Sequence, residues 1–330
     1  QPVGGSRLRL ARPAHPLRVA DEAITMTTVL TARPNLPVVF ASGPVTTSPA
    51  GPWRLAWRRF RRHRLAIVGM VVIAFLASAS LLADVLSPYN PTKTNLLEML
   101  DAPSVAHPMG TDELGRDLMA RILHGGRVSL AVGVLAVALA VSIGSTVGAI
   151  AGYRGGWVDN LLMRLVDFMI ALPSIFVLIL LATIYGTSPV TLVFVIGGLR
   201  WMGTARQVRG AFLALREREF VEAARCLGAR PSRIIIRHLL PNAIGPIIVA
   251  ATLGISGAIL TESSLSYLGL GIQPPVASWG NMLRNAQDQM TRAPWTAVFP
   301  GLMIFLTVLA VNYVGDGLRD ALDPRKIGSR

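Results

Sequence analysis

The sequence predicts an all-α polytopic membrane protein with six transmembrane helices. Three observations predict it. Charged residues make up only 15% of the 330 residues and apolar ones 52%, whereas a soluble domain carries about a quarter charged. The apolar residues fall in long runs that meet or approach the ~20 residues a span needs. Basic residues sit between these runs, so the net charge of +14 reads as membrane topology and not as a nucleic-acid footprint.

The elements follow in chain order. Residues 1–52 are rich in Pro, Ala, Thr and Gly without a sustained apolar period, and read as a disordered leader that contains an internal Met26. Trp53, Trp57 and Phe60 then recur at i, i+4 and i+7 among Arg58, Arg59, Arg61, Arg62 and Arg64. That pattern suits a basic helix over 53–64 lying against membrane lipid at the cytoplasmic interface. The first span covers 65–86. Ala77-Ser78-Ala79 resembles a signal-peptidase site, yet the apolar run is longer than a usual signal core and reads as a retained anchor. An extracytoplasmic segment, 87–127, leads to a core over 128–325 that holds the other five spans, with a tail at 326–330.

The second span is 128–153, where Gly144, Gly148 and Gly152 share one face and let another helix approach closely. The apolar stretch 168–199 is too long for one span and carries Gly186-Thr187-Ser188-Pro189 in its middle. Gly and Pro there mark a turn, which divides the stretch into helices of about 161–184 and 190–208. The fifth and sixth spans are 241–261 and 293–315. The span centres read as free of charge. With the N-terminus inside, segments 54–64, 154–164, 200–237 and 319–330 hold 21 basic residues, and the outside segments 87–127, 186–189 and 269–296 hold 6. Both termini are therefore expected in the cytoplasm.

Several chemistries find no support. The single Cys226 excludes an internal disulfide framework and any multi-cysteine metal site. The five histidines lack ligand spacing. A phosphate-binding loop needs Gly-Lys-Ser/Thr, and neither Lys93 nor Lys326 follows a glycine. No Ser/His/Asp or HExxH arrangement appears. The reading is a chain with no catalytic residue, no metal site and no cofactor of its own, and with no nucleic-acid partner.

The long basic loop 209–242 is the most informative segment. Helix-forming residues run from Arg216 to Leu227, and Gly228 suits a helix C-terminal cap. Pro231 suits the first turn of a second helix. Glu217, Glu219 and Glu222 stand near the start of the first helix, where the dipole favours acids. The loop is expected to be a helix–turn–helix outside the membrane, with Ala223 and Ala224 on its surface for close approach of a partner.

Glu222-Ala223-Ala224, then Gly228, then His238-Leu239-Leu240-Pro241 resembles the EAA loop of ABC importer permeases. The general pattern of that family favours Ile at the position of His238. The variant Arg237-His238-Leu239-Leu240-Pro241-Asn242 is similar to the dipeptide/oligopeptide (peptide/nickel/opine) branch, its "C-type" permease subunit. Gly110-Thr111-Asp112-Glu113-Leu114-Gly115-Arg116-Asp117, the run Glu262–Gly271 and the run Gly315–Pro324 are similar to the same branch, so the resemblance covers about 55–325.

The resemblance implies a type I ABC importer permease fold. It implies that Glu217, Glu219, Phe220, Glu222, Ala223, Ala224, Arg225, Gly228, His238 and Pro241 couple to an ATPase, and that Gly110, Thr111, Asp112, Gly115, Arg116 and Asp117 form an extracytoplasmic motif. The implied partners are a second, homologous permease in a heterodimer, two ATP-binding subunits carrying ATP and Mg2+, and an extracytoplasmic solute-binding protein. The implied place is the cytoplasmic (inner) membrane of a bacterium, and the implied cargo di- or oligopeptides. The related cargos are nickel, glutathione, opines and haem. An ATPase-independent secondary transporter and a non-transporting scaffold are the alternatives of another class.

The acidic residues also have structural readings. Asp112, Glu113 and Asp117 fit a charged helix start with Thr111 as N-cap. Asp167 and Glu262 lie near span ends and are candidate pathway residues, although Asp167 could pair with Arg164 three residues back.

Overall fold

The computed structural model describes residues 52–322. The leader expected over 1–52, apart from Pro52, and the tail at 326–330 lie outside the described residues. These fold into α-helices. The only strand-like pairing among them is an isolated antiparallel bridge between Thr111 and Asp117.

Helix α1 (Pro52–Phe60) leads into α2 (Arg64–Leu81) and the short α3 (Ala83–Leu86). The His63 imidazole caps α2 by accepting from the Ala66 amide at 3.2 Å. Helix α4 (Leu118–Arg154) begins ten residues before the expected second span, because the Asp117 carboxylate caps it from outside, accepting from the Ala120 amide at 2.7 Å. α5 (Gly156–Ala171) and α6 (Ser174–Tyr185) then occupy the expected third span. That span is not one straight helix: its halves meet at 84°. The cause is Leu172-Pro173, since proline lacks an amide donor and pushes the preceding residue out of helical geometry. Leu172 is accordingly extended (φ −74°, ψ 131°).

Helix α7 (Pro189–Arg216) starts at a Ser188 cap with proline in its first turn. α8 (Glu219–Cys226) and α9 (Pro231–Ile234) form the loop between α7 and α10. A π-turn over Ile235–Leu239 joins α9 to α10 (Leu240–Tyr267). The turn answers Pro241, whose ring cannot coexist with an ordinary helical bond four residues back, and the Asn242 side-chain amide donates to the His238 carbonyl at 2.6 Å. α11 (Trp279–Ala286) is a short helix between α10 and α12 (Trp295–Leu322).

Four helical stretches are long and apolar enough to cross a membrane: 64–81, 118–154, 231–267 and 295–322. The bent α5–α6 pair makes a fifth. The expected fourth span, α7, is 28 residues long but does not qualify, because Arg200, Arg206, Arg209 and Arg216 interrupt its apolar run.

The bundle is organised around α4. In a membrane, helices gain little from hydrophobic contact and associate through close packing. A side chain at Gly144 would stand 2.5 Å from the Trp201 carbonyl, one at Gly148 would overlap the Ala205 carbonyl, and one at Gly152 would meet the Arg209 carbonyl at 2.8 Å. Three glycines on one face of α4 thus meet three carbonyls on one face of α7, inside the bundle. Gly69 makes the same kind of approach between α2 and the Ala310 carbonyl of α12. α1 is not purely a surface helix either. Its Trp57 is 54% exposed, but Phe60 is buried with Ala66 and Ala321, at the end of α12.

Candidate functional site

The residues expected to couple gather on and around α8. Val221 and Ala224 face inward, packed with Ala149, Val208, Phe212, Ile234, Leu239 and Ala243. This corrects the expectation for Ala224, which is 6% exposed. At a spacing of three it shares a helix face with Val221, while Ala223 is turned outward. The outward face carries Phe220, Glu222, Ala223 and Leu227, the last 88% exposed. The helix ends as expected at Gly228, which has φ +75°. The Gly228 amide donates to the Arg225 carbonyl and the Ala229 amide to that of Ala224, which is the Schellman closure.

Beside this face lies a groove of about 770 Å³ lined by Phe220, Ala223, Leu227, Gly228, Arg233 and His238. The helix is tied laterally as well. Arg225 lies over the Tyr153 ring at 5.9 Å. Arg216 pairs with Glu217 at 2.8 Å and reaches the Gly152 carbonyl. Glu219 and Pro241 are exposed and His238 half-buried.

The second group is built differently. Gly110 (φ +79°) and Gly115 (φ +66°) permit a tight turn that brings Thr111 opposite Asp117. The Asp112 carboxylate accepts from the Leu114 and Arg116 amides, and from Arg116 Nε at 2.7 Å. Arg121 Nε adds a contact at 3.2 Å. Glu113 accepts from Arg116 and, across the fold, from Asn285 of α11. Asp117 holds His107 Nδ1 at 2.8 Å. The N-cap of the following helix is Asp117 and not Thr111. The Thr111 hydroxyl instead accepts from the Asp101 amide and donates to the Glu98 carbonyl, knitting the turn to the preceding loop.

The two candidate pathway acids part company. Glu262 is wholly buried, accepting from Ser129 of α4 at 3.1 Å and from Ser266 at 2.8 Å. Ser129 in turn accepts from the Trp279 amide, so the cage joins α4, α10 and α11. Asp167 is exposed and pairs with Arg206 of α7, not with Arg164. Beside it Asp159 takes both nitrogens of Arg209, a pair the sequence reading missed because its members stand fifty residues apart.

Arg200 also escaped that reading. It lies inside α7, within the helix expected over about 190–208, although the charge count includes it in the basic segment 200–237. Its signal was its place in the sequence, immediately after the apolar run 190–199.

Comparison with known proteins agrees with this architecture. Residues 144–328 match the family described as "Binding-protein-dependent transport system inner membrane component". Residues 51–103 match the "N-terminal TM domain of oligopeptide transport permease C". The chain is 44% identical to the dipeptide transport system permease protein DppC of Alkalihalophilus pseudofirmus over 83% of this chain and 90% of that protein. It is 42% identical to the oligopeptide transport system permease protein OppC of Bacillus subtilis, covering 83% and 90%. It is also 42% identical to the glutathione transport system permease protein GsiD of Pectobacterium atrosepticum, covering 83% and 91%.

Proposed function

Because this chain belongs to the binding-protein-dependent inner-membrane transport permeases, we propose that it imports short peptides as one half of an ATP-driven translocation path. The observation that carries the reading is α8. A short helix closed at Gly228 presents Phe220, Ala223 and Leu227 outward between two long helices. Exposed apolar residues grouped beside a groove mark a protein-docking surface. The docked partner is an ATP-binding subunit, which supplies the ATP and Mg2+ chemistry; this chain contributes no phosphate-binding loop.

The mechanism follows from how α8 is held. Val221 and Ala224 seat it on α7, α9 and the start of α10, so displacement of α8 by closing ATPases moves those helices as a unit. Tight interiors transmit such shifts. α7 is the fourth of six spans in this reading, its arginines facing an aqueous path and the cytoplasmic rim. Both termini are cytoplasmic by the charge count, in the inner membrane. A solute-binding protein delivers cargo opposite α8, over the 107–121 turn and α11. A second, different permease completes the path. The cargo is peptide by likeness to the dipeptide and oligopeptide permeases, and the glutathione permease favours a second cargo of the same chemistry, a tripeptide.

Reconstitution with the partner permease, ATPases and binding protein tests the whole reading. Uptake of labelled di- and tripeptides should require ATP and the binding protein. Glu222→Lys combined with Gly228→Pro should abolish uptake. Uptake that survives in the double variant would sink the coupling role. Uptake of peptide without any ATPase would favour a secondary transporter.

A further inference from the structure

Three arginines of α7 stand at intervals of six and three, and two have partners: Arg206 pairs with Asp167 and Arg209 with Asp159. Among the described residues no carboxylate pairs with Arg200. Its position makes that costly. It stands 11 residues from one end of α7 and 16 from the other, about 16 and 24 Å along the axis. An uncompensated charge at such depth is disfavoured by several kcal/mol in lipid and marks a functional pathway by default.

Its seat is built from small residues. The guanidinium lies across Gly257 of α10, where even a Cβ would overlap its Nη2. From Arg200 the exposed stripe of α7 continues through Gly203, Gln207 and Gly210, and both glycines have open space beside them. α10 runs antiparallel to α7, so its stripe of Gly257, Leu260, Thr261 and Ser264 leads the other way from the same contact. The α7 stripe is small or polar from Arg200 towards α8, whereas Val190 and Phe194 are exposed on the other side of it. The exposed side of α5 and α6 is instead Leu161, Leu165, Phe168, Phe176, Leu180 and Ile184, as lipid or an apolar partner demands. Arg200 thus stands where the exposed face of α7 changes from large apolar to small and polar residues.

We infer that Arg200, seated over Gly257, binds a carboxylate of the cargo as it crosses, the C-terminal carboxylate being the one that every peptide carries. The inference rests on the peptide-import reading and deepens it. Arginine suits the task because its planar fork takes a carboxylate by two parallel hydrogen bonds and stays charged at any working pH. The alternative occupant is a carboxylate of the second permease.

The test uses the complete reconstituted transporter with Arg200→Met, Arg200→Gln and Arg200→Lys. The first two remove a charge from a span and so should not impair insertion. Loss of a charge-assisted pair predicts that they lower uptake of a free-acid tripeptide roughly ten- to a hundredfold. Co-purification of the partner permease and basal ATP hydrolysis should be unchanged, and Arg200→Lys should recover part of the uptake. A free-acid tripeptide with a photoreactive C-terminal residue should crosslink to α7 or α10 in the parent protein and lose that crosslink in Arg200→Met. Uptake by Arg200→Met within twofold of the parent overturns the inference. Loss of the second permease from that variant also overturns it, and assigns the arginine to the subunit contact. A parent transporter that imports no peptide defeats the import reading itself, which is a different outcome.

Discussion

The two ends of the bundle are held together by opposite means. At α8 the ties are mostly apolar: Val221 and Ala224 sit in a pocket of aliphatic and aromatic side chains, and the opposite face is left bare. Around Asp112 they are ionic and buried: Arg116 is 4% and Arg121 1% exposed, and both reach one carboxylate. Apolar seating is non-directional and tolerates small displacement. A buried charge network requires its geometry, since removing one member strands the rest. The α8 end is therefore suited to being pushed, and the Asp112 end to holding its shape while something docks on it.

Predictions follow from the largest effect down. Asp112→Ala leaves the buried Arg121 without a carboxylate and Arg116 with Glu113 alone, and should cost about 3–5 kcal/mol, read as a large drop in the thermal midpoint in detergent or as failure to accumulate. A loss within about 1 kcal/mol would show the Asp112 end to be as pliable as α8. Gly148→Leu places a side chain where the Ala205 carbonyl now lies and should cost about 1–3 kcal/mol by overpacking. Val221→Ala should cost about 1–2 kcal/mol from lost burial and a residual cavity, while loosening the transmission of ATPase motion. Leu227→Asp should change stability by less than about 0.5 kcal/mol, as exposed positions do, yet remove ATP-coupled uptake. Those two substitutions on one short helix separate seating from docking.

The smallest effect belongs to Asp84. The hydrogen bond from Arg127 holds its carboxyl below the ordinary range, with His124 adding to it. A depressed carboxyl contributes stability above its unfolded pKa, and that contribution is lost as pH falls through the folded value. The window lies below about pH 4. Asp84 is fully exposed, so the melting difference between the parent protein and Asp84→Asn should be slight at neutral pH and vanish in acid.

What the sequence made legible was local. The Gly144, Gly148 and Gly152 face, the Gly228 cap and the proline-initiated helices each depend on residues a few positions apart. The C-type permease resemblance rested on contiguous motifs and is matched by the family and its relatives. The misreadings came from tertiary choices. Thr111 could cap a helix as well as Asp117 can, and only the turn at Gly110 and Gly115 decides between them. Asp167 had Arg164 at helical spacing, but α7 brings Arg206 closer. The bend at Leu172-Pro173 was written in one proline within an otherwise uninterrupted apolar run. Arg200 fell both in the helix of about 190–208 and in the basic segment 200–237, and only the full length of α7 places it eleven residues inside a helix.

The central claim is that energy enters through the outward face of α8. The chain's one cysteine, Cys226, is exposed on that helix, so it reports on docking without any substitution. The decisive measurement is the rate at which a bulky maleimide labels Cys226 in inside-out membrane vesicles, with and without the ATP-binding subunits. Bound ATPases should slow labelling at least about tenfold, the effect of ~1.4 kcal/mol of protection. Equal rates in the two preparations would contradict the account.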